Sequence, residues 1–147
     1  MNEKKTTVAE QLRAGRPVAA FTSGISMQPL LYENKTHVLI EPLNRQLKVG
    51  ELPIFLRPDG KYVIHRVIKV EDDFYFTRGD NCIGMEKVPK DWMLGVVTEI
   101  YRNKKYIKVT DKKYRIYVWV WQVTAPVRIF FFRIRAMVKS LYHRMKK

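Results

Sequence analysis

The sequence predicts a mainly β chain that opens on a short helix and closes on a basic amphipathic one. Three observations carry this. Short apolar or alternating runs, each cut off by Gly, Pro, Asn or Asp, follow one another from Val18 to Val109, as strands joined by tight turns do. Thr7 and Glu10 form a capping box, the signature of a helix start. After Asp111 the turn residues give way to aromatic and basic residues with a helical repeat. The chain thus divides into a helix and lead-in over residues 1–17, a β domain over 18–110 and a basic, aromatic-rich helix over 111–147.

Gly15 and Pro17 end the first helix, which covers about residues 7–14. Val18 to Thr22 reads as a strand closed by Ser23-Gly24. Pro29 keeps Gln28 from an easy helical conformation, so Ser26 is expected on an irregular, exposed turn. His37 to Glu41 is the next apolar run. Leu52 to Leu56 follows, with Pro53 marking a strand start or an edge. Pro58-Asp59-Gly60-Lys61 is a hairpin turn. Tyr62 to Val70 alternates as one strand, and Phe74 to Thr77 returns after Glu71-Asp72-Asp73. Arg78-Gly79-Asp80-Asn81 is a loop. Leu94 to Ile100 and Tyr106 to Val109 form a last hairpin across Arg102-Asn103-Lys104.

Composition narrows the function. With 147 residues the chain fits one domain, and 46% hydrophobic against 29% charged residues is the balance of a folded protein. A net charge of +14 attracts polyanions, either nucleic acid or anionic lipid. Cys82 is the single cysteine, so no internal disulfide forms, and no Cys/His cluster has the spacing of a zinc site. No metal or organic cofactor is implied. The polar stretch from Met1 to Thr7 is not a secretory signal. The longest candidate span, Ile116 to Val127, has 12 residues and stops at Arg128, short of the roughly 20 a bilayer requires. The expected location is the cytoplasm, with peripheral contact on a membrane.

The chemistry gathers at two residues. Ser26 sits in a glycine-led turn, and His65 lies in a strand-like run. A serine hydroxyl is a weak nucleophile until a neighbouring base takes its proton, and a neutral imidazole can accept that proton and return it to a leaving amine. Arg66 cannot serve as base because its guanidinium stays protonated; adjacent strand residues point to opposite faces, so Arg66 faces away from the site.

The ordered set Ser26-Met27-Gln28-Pro29-Leu30, Lys48-Val49-Gly50-Glu51, Ile64-His65-Arg66-Val67-Ile68 and Thr77-Arg78-Gly79-Asp80-Asn81 resembles the type I signal peptidase superfamily, which also contains the self-cleaving repressors. The resemblance covers about residues 18–100. Histidine stands where the bacterial branch has lysine, so the chain is similar to the Ser/His branch of archaeal, endoplasmic-reticulum and spore-former peptidases. This implies a mostly β, signal-peptidase-like fold whose edge takes an extended peptide as an added strand. It implies Ser26 as nucleophile, His65 as general base, and Asp80 or Glu86 as the group that orients the imidazole, with a dyad also open. The Ser26 N–H is the expected oxyanion donor. Gly24 stands where some members carry a serine hydroxyl for that purpose, so the second donor is unassigned. The membrane span of the peptidases and the helix-turn-helix of the repressors have no counterpart here. Cys82, His37 and His143 are expected to be incidental.

In the tail, Val127, Phe130, Phe131, Ile134, Val138, Leu141 and Met145 fall on one helical face, with Arg128, Arg135, Lys139 and Lys146 opposite. Ile129 and Phe132 lie off that stripe. Such a helix suits an anionic membrane surface through residues 114–147, with Tyr117, Trp119 and Trp121 at headgroup level. Packing on the β domain or pairing with another subunit stays open. Nucleic acid is disfavoured because bulky aliphatics dilute the charge and no binding motif is present. The function expected is a serine endopeptidase acting on an extended peptide or precursor at a membrane surface; the alternative is a catalytically degenerate module that binds peptide or membrane.

Overall fold

A computed structural model describes residues 6–146. Residues 1–5, the polar start read as no secretory signal, and Lys147 lie outside the described residues. Helix α1 spans Val8–Arg13 and begins with the anticipated box: Thr7 Oγ1 accepts from the Glu10 N–H at 3.2 Å, and Glu10 accepts from the Thr7 N–H at 2.8 Å. Strands β1 (Val18–Phe21), β2 (His37–Pro42), β3 (Pro53–Leu56), β4 (Tyr62–Ile64), β8 (Met93–Arg102) and β9 (Lys105–Lys108) form a curled antiparallel sheet. Its order is β1-β2-β8-β3-β4, with β9 also on β8. A smaller sheet holds β5 (Arg66–Val70), β6 (Phe74–Arg78) and β7 (Glu86–Pro89).

Two apolar clusters support these layers. Leu12 of α1 packs with Ile40, Leu52, Ile54, Val97 and Ile100 on one side of the large sheet. Phe55, Val67, Tyr75, Val88 and Met93 join the two sheets on the other. Alternation explains the split: Ile54 and Phe55 are neighbours on β3 and enter different clusters.

The structure corrects the expected fold class in one respect. Strand makes up 32% and helix 30%, so the chain is mixed rather than mainly β. Most of the helix is in the tail, where one helix over 111–147 is expected. The tail forms two helices, α2 (Lys112–Val123) and α3 (Ala125–Met145), instead of one. Pro126 lies in the first turn of α3 and lacks an N–H to continue α2, so the helix steps at Thr124. Among the described residues no helix is long and apolar enough to cross a membrane.

A second correction bears on the site. The run from Tyr62 to Val70 is not one strand. β4 ends at Ile64 on the large sheet and β5 starts at Arg66 on the small one. Val67 is held in the small layer by its own backbone, which donates to Glu51 O and accepts from the Gly50 N–H at 2.9 and 2.8 Å. His65 is therefore the one residue between β4 and β5, where the chain leaves the large sheet for the small one. β7 has no counterpart in the sequence reading, because Glu86-Lys87-Val88-Pro89 carries little alternation and is a strand by pairing with β6.

Candidate active site

Ser26 follows Gly24, whose φ of +78° reverses the chain after β1. The turn is held from a distance in sequence. The Asn81 N–H donates to Ser26 O at 2.8 Å, and Asn81 Nδ2 donates to Ile25 O at 3.1 Å. Gly79 lies so close that a Cβ there would stand 2.5 Å from Ser26 O and 3.0 Å from Ser26 Cβ. Only glycine permits that approach. Two members of the Gly79-Asp80-Asn81 loop thus brace the serine turn, and Ser26 itself is half-buried with its side chain on a cleft.

The third member of that loop turns away. Asp80 accepts from Arg66 Nε at 2.7 Å and from Arg66 Nη2 at 2.6 Å, and the two side chains are 2% and 1% exposed. Arg66 Nη1 donates to Gly50 O at 2.9 Å, and Tyr117 of α2 donates to Asp80 at 3.4 Å. Burial pulls the Arg66 pKa down, but the hydrogen bonds and charge of Asp80 outweigh it and raise it above its ordinary value. This corrects the expectation that Asp80 orients the imidazole: both its oxygens are committed to Arg66. Arg66 does leave the cleft, as strand alternation requires, but it goes into the core. The Gly50-Glu51 pair finds its place here as well. Gly50 has a φ of +94° and offers its carbonyl to Arg66, while Glu51 pairs with Arg45 and accepts from the Lys48 N–H.

His65 points the other way, onto the cleft with Ser26. Its side chain is 12% exposed and stands edge-on to Phe55, ring centres 6.2 Å apart. Burial lowers its pKa from the ordinary 6.5; Glu86 and Asp80 pull up against that, and Arg57 reinforces it. The imidazole is therefore held neutral at pH 7, the state a proton acceptor needs. Glu86 Oε2 lies 3.8 Å from Nδ1, which makes no hydrogen bond. Glu86 is itself gripped by Arg57, with Nε to Oε1 at 2.8 Å and Nη2 to Oε2 at 2.5 Å. Of the two proposed acidic partners, Glu86 is the one beside the ring.

The cleft has a volume of about 520 Å³. Ala20 and Phe21 of β1 line one side, and Tyr62, Val63 and Ile64 of β4 line the other. These are the end strands of the β1-β2-β8-β3-β4 path, so the curl of the sheet brings two free edges to one cavity. Met27, Leu31, Ile40 and Ile54 make the floor apolar. Cys82 also reaches the cleft, where burial raises its pKa and keeps the thiol protonated. Thiolate, not thiol, is the reactive form, so Cys82 is not poised as a nucleophile. His37 lies between Phe21 and Tyr101 with its ring tilted to both, and His143 is exposed on α3. Among the described residues no group of three His, Cys, Asp or Glu stands close enough to hold a metal ion.

Sequence reasoning passed over Arg57, and it set Tyr117 at headgroup level, whereas the structure turns Tyr117 inward onto Asp80. Nothing in a single chain marks an arginine after a hairpin strand as the clamp of a glutamate far ahead in sequence. Comparison of the chain with protein-family models, curated proteins and solved structures finds no match.

Proposed function

We propose that this chain is a serine endopeptidase of the signal-peptidase type, cutting an extended peptide laid between β1 and β4. The observation that carries this reading is one cleft, bounded by two free strand edges, onto which a serine and a histidine kept neutral by burial both open. Unpaired edges supply backbone donors and acceptors to a peptide in extended conformation. The apolar floor accepts small or aliphatic side chains.

In this mechanism Ser26 Oγ attacks the scissile carbonyl carbon as His65 Nε2 takes its proton. Glu86 faces Nδ1 and stabilises the imidazolium that forms. The Ser26 N–H donates to the oxyanion. His65 then gives its proton to the amine, which leaves with the C-terminal fragment. Water, deprotonated by His65, releases the acyl group from Ser26.

One observation favours a second reading, a peptide-binding module that does not cut. The 3.8 Å gap between Glu86 and Nδ1 exceeds a hydrogen bond, and Arg57 holds the carboxylate in place. Catalytic hydrogen bonds are often long before substrate binds and tighten in the complex. A fluorophosphonate probe separates the two. Labelling of the full chain that Ser26→Ala abolishes, with parallel loss of cleavage in a fluorogenic peptide library, is the expected result. Peptide binding with no labelling and no cleavage would overturn the enzyme reading.

A further inference from the structure

We infer that the outward side of α2 and α3 is a docking surface for an anionic lipid bilayer, on which the two helices lie flat. This goes beyond the peptidase reading and does not depend on it.

The surface is continuous across the step at Thr124. On α2, Ile116, Trp119, Val120 and Val123 are exposed, Trp119 to 64%. On α3, Val127, Phe130, Phe131, Ile134, Val138 and Leu141 are exposed, Phe131 to 62%. At about 100° per residue all ten project within an arc of roughly 120°. The residues that meet the body of the protein, Tyr114, Tyr117 and Val118, project from the opposite side. Hence the apolar stripe is not the packing face of these helices; it is the side turned away from the domain. Of the three occupants the sequence leaves open, the β domain is excluded by this exposure.

Charge selects between the other two. From Lys112 to Lys147 the chain has ten Lys and Arg and no Asp or Glu. Arg115, Arg133 and Arg144 border one edge of the stripe, and Arg135, Lys139 and Lys146, which the repeat sets on the far side, lie about 90–130° round from its centre beyond the other edge. A second copy seated on the stripe would set these rows against each other with no acidic partner. A bilayer with anionic headgroups accepts the aromatic stripe at the acyl boundary and both basic rows at the phosphates. Trp119 sits where an interfacial anchor belongs. The inner side of α2 carries Tyr117 to Asp80, so the docked helix bears directly on the buried pair behind His65.

The test is sedimentation of the full chain with vesicles of phosphatidylcholine alone or mixed with phosphatidylglycerol. Binding is expected only to the anionic vesicles, weakening as salt rises. Tryptophan emission should shift to the blue on binding, and most of that change should vanish in Trp119→Phe. Phe130→Glu with Phe131→Glu should abolish binding while the circular dichroism stays native, because neither side chain is buried in the fold. Arg133→Gln with Arg144→Gln should weaken it about 25-fold at low salt, since each basic side chain at the surface contributes roughly fivefold. Ser26→Ala should bind like wild type, which keeps this result separate from any failure of catalysis. A soluble dimer dispersed by Phe131→Glu, with no vesicle binding, overturns the proposal. So does nucleic-acid binding that survives the Phe→Glu changes in a chain that ignores vesicles.

Discussion

Changing Asp80 to asparagine removes one charge from a pair almost wholly out of water. Arg66 and Asp80 are 1% and 2% exposed and share two hydrogen bonds of 2.6 and 2.7 Å. Asparagine keeps the shape but turns one acceptor into a donor facing a guanidinium. The arginine stays charged, buried and short of a partner. Breaking such a pair costs about 3–5 kcal/mol, a large share of the roughly 5–15 kcal/mol that holds a domain together. Urea denaturation reads this as a lower midpoint with an unchanged slope. The companion is the double variant Arg66→Met with Asp80→Leu. It leaves no uncompensated charge, but Gly50 O loses its donor, at a cost of about 1–3 kcal/mol. The double change should therefore be milder than Asp80→Asn alone. A single variant within about 1 kcal/mol of wild type, or a double variant whose cost equals the sum of its two singles, would refute the account of Asp80 as the buried partner of Arg66.

Gly79→Ala places a methyl 2.5 Å from Ser26 O, so the serine turn must move; a stability loss of about 1–3 kcal/mol and a larger fall in kcat than in substrate binding are expected from melting curves and peptide kinetics. The acid limb of kcat/KM should lie below pH 6.5, because burial lowers the His65 pKa and only the neutral ring is a base. The same shift bears on stability with a definite sign: the unfolded histidine binds its proton first, so the contribution is intact above about 6.5 and is lost as pH falls through the lower folded value. A limb at or above 6.5 contradicts the burial of the ring. Glu86→Gln removes the charge that pulls the His65 pKa up, so the acid limb should move to still lower pH and kcat should fall; an unmoved limb would show that Glu86 does not act on His65. Thr7→Ala should cost about 1 kcal/mol by opening the N-cap, read from thermal unfolding.

Much of the fold was legible because its signals are local. Thr7 and Glu10 cap a helix, Pro58 to Lys61 turns a hairpin, and Asn103 and Lys104 accept positive φ of 51° and 61° at the last reversal. Each needs only neighbours in sequence. The tail was legible as helix over 111–147, but its division at Thr124 was not. Ile116-Tyr117-Val118-Trp119-Val120-Trp121 are residues of strand preference, yet they lie in α2, where Tyr114, Tyr117 and Val118 meet the body at helical spacing. The break at His65 was equally hidden: Tyr62 to Val70 alternates throughout, and only the backbone bonds of Val67 to Gly50 and Glu51 send β5 into another sheet.

The candidate site divides in the same way. The order of the motifs singles out Ser26 and His65 as candidates, and residue type excludes Arg66 as a base, because side-chain chemistry travels with the residue. Which carboxylate stands beside the imidazole does not. In sequence Asp80 stands first and Glu86 is the alternative; in the structure a buried guanidinium claims Asp80 and Arg57 presents Glu86 to the ring. The amphipathic tail shows the same limit. Its repeat is set by the order of residues, but whether the apolar face lies inward or outward depends on which other side of the helix the domain binds. Local hydrogen bonds and periodicity are written in the chain; the pairing of buried charges and the exposure of a face are decided only when distant segments compete for the same space.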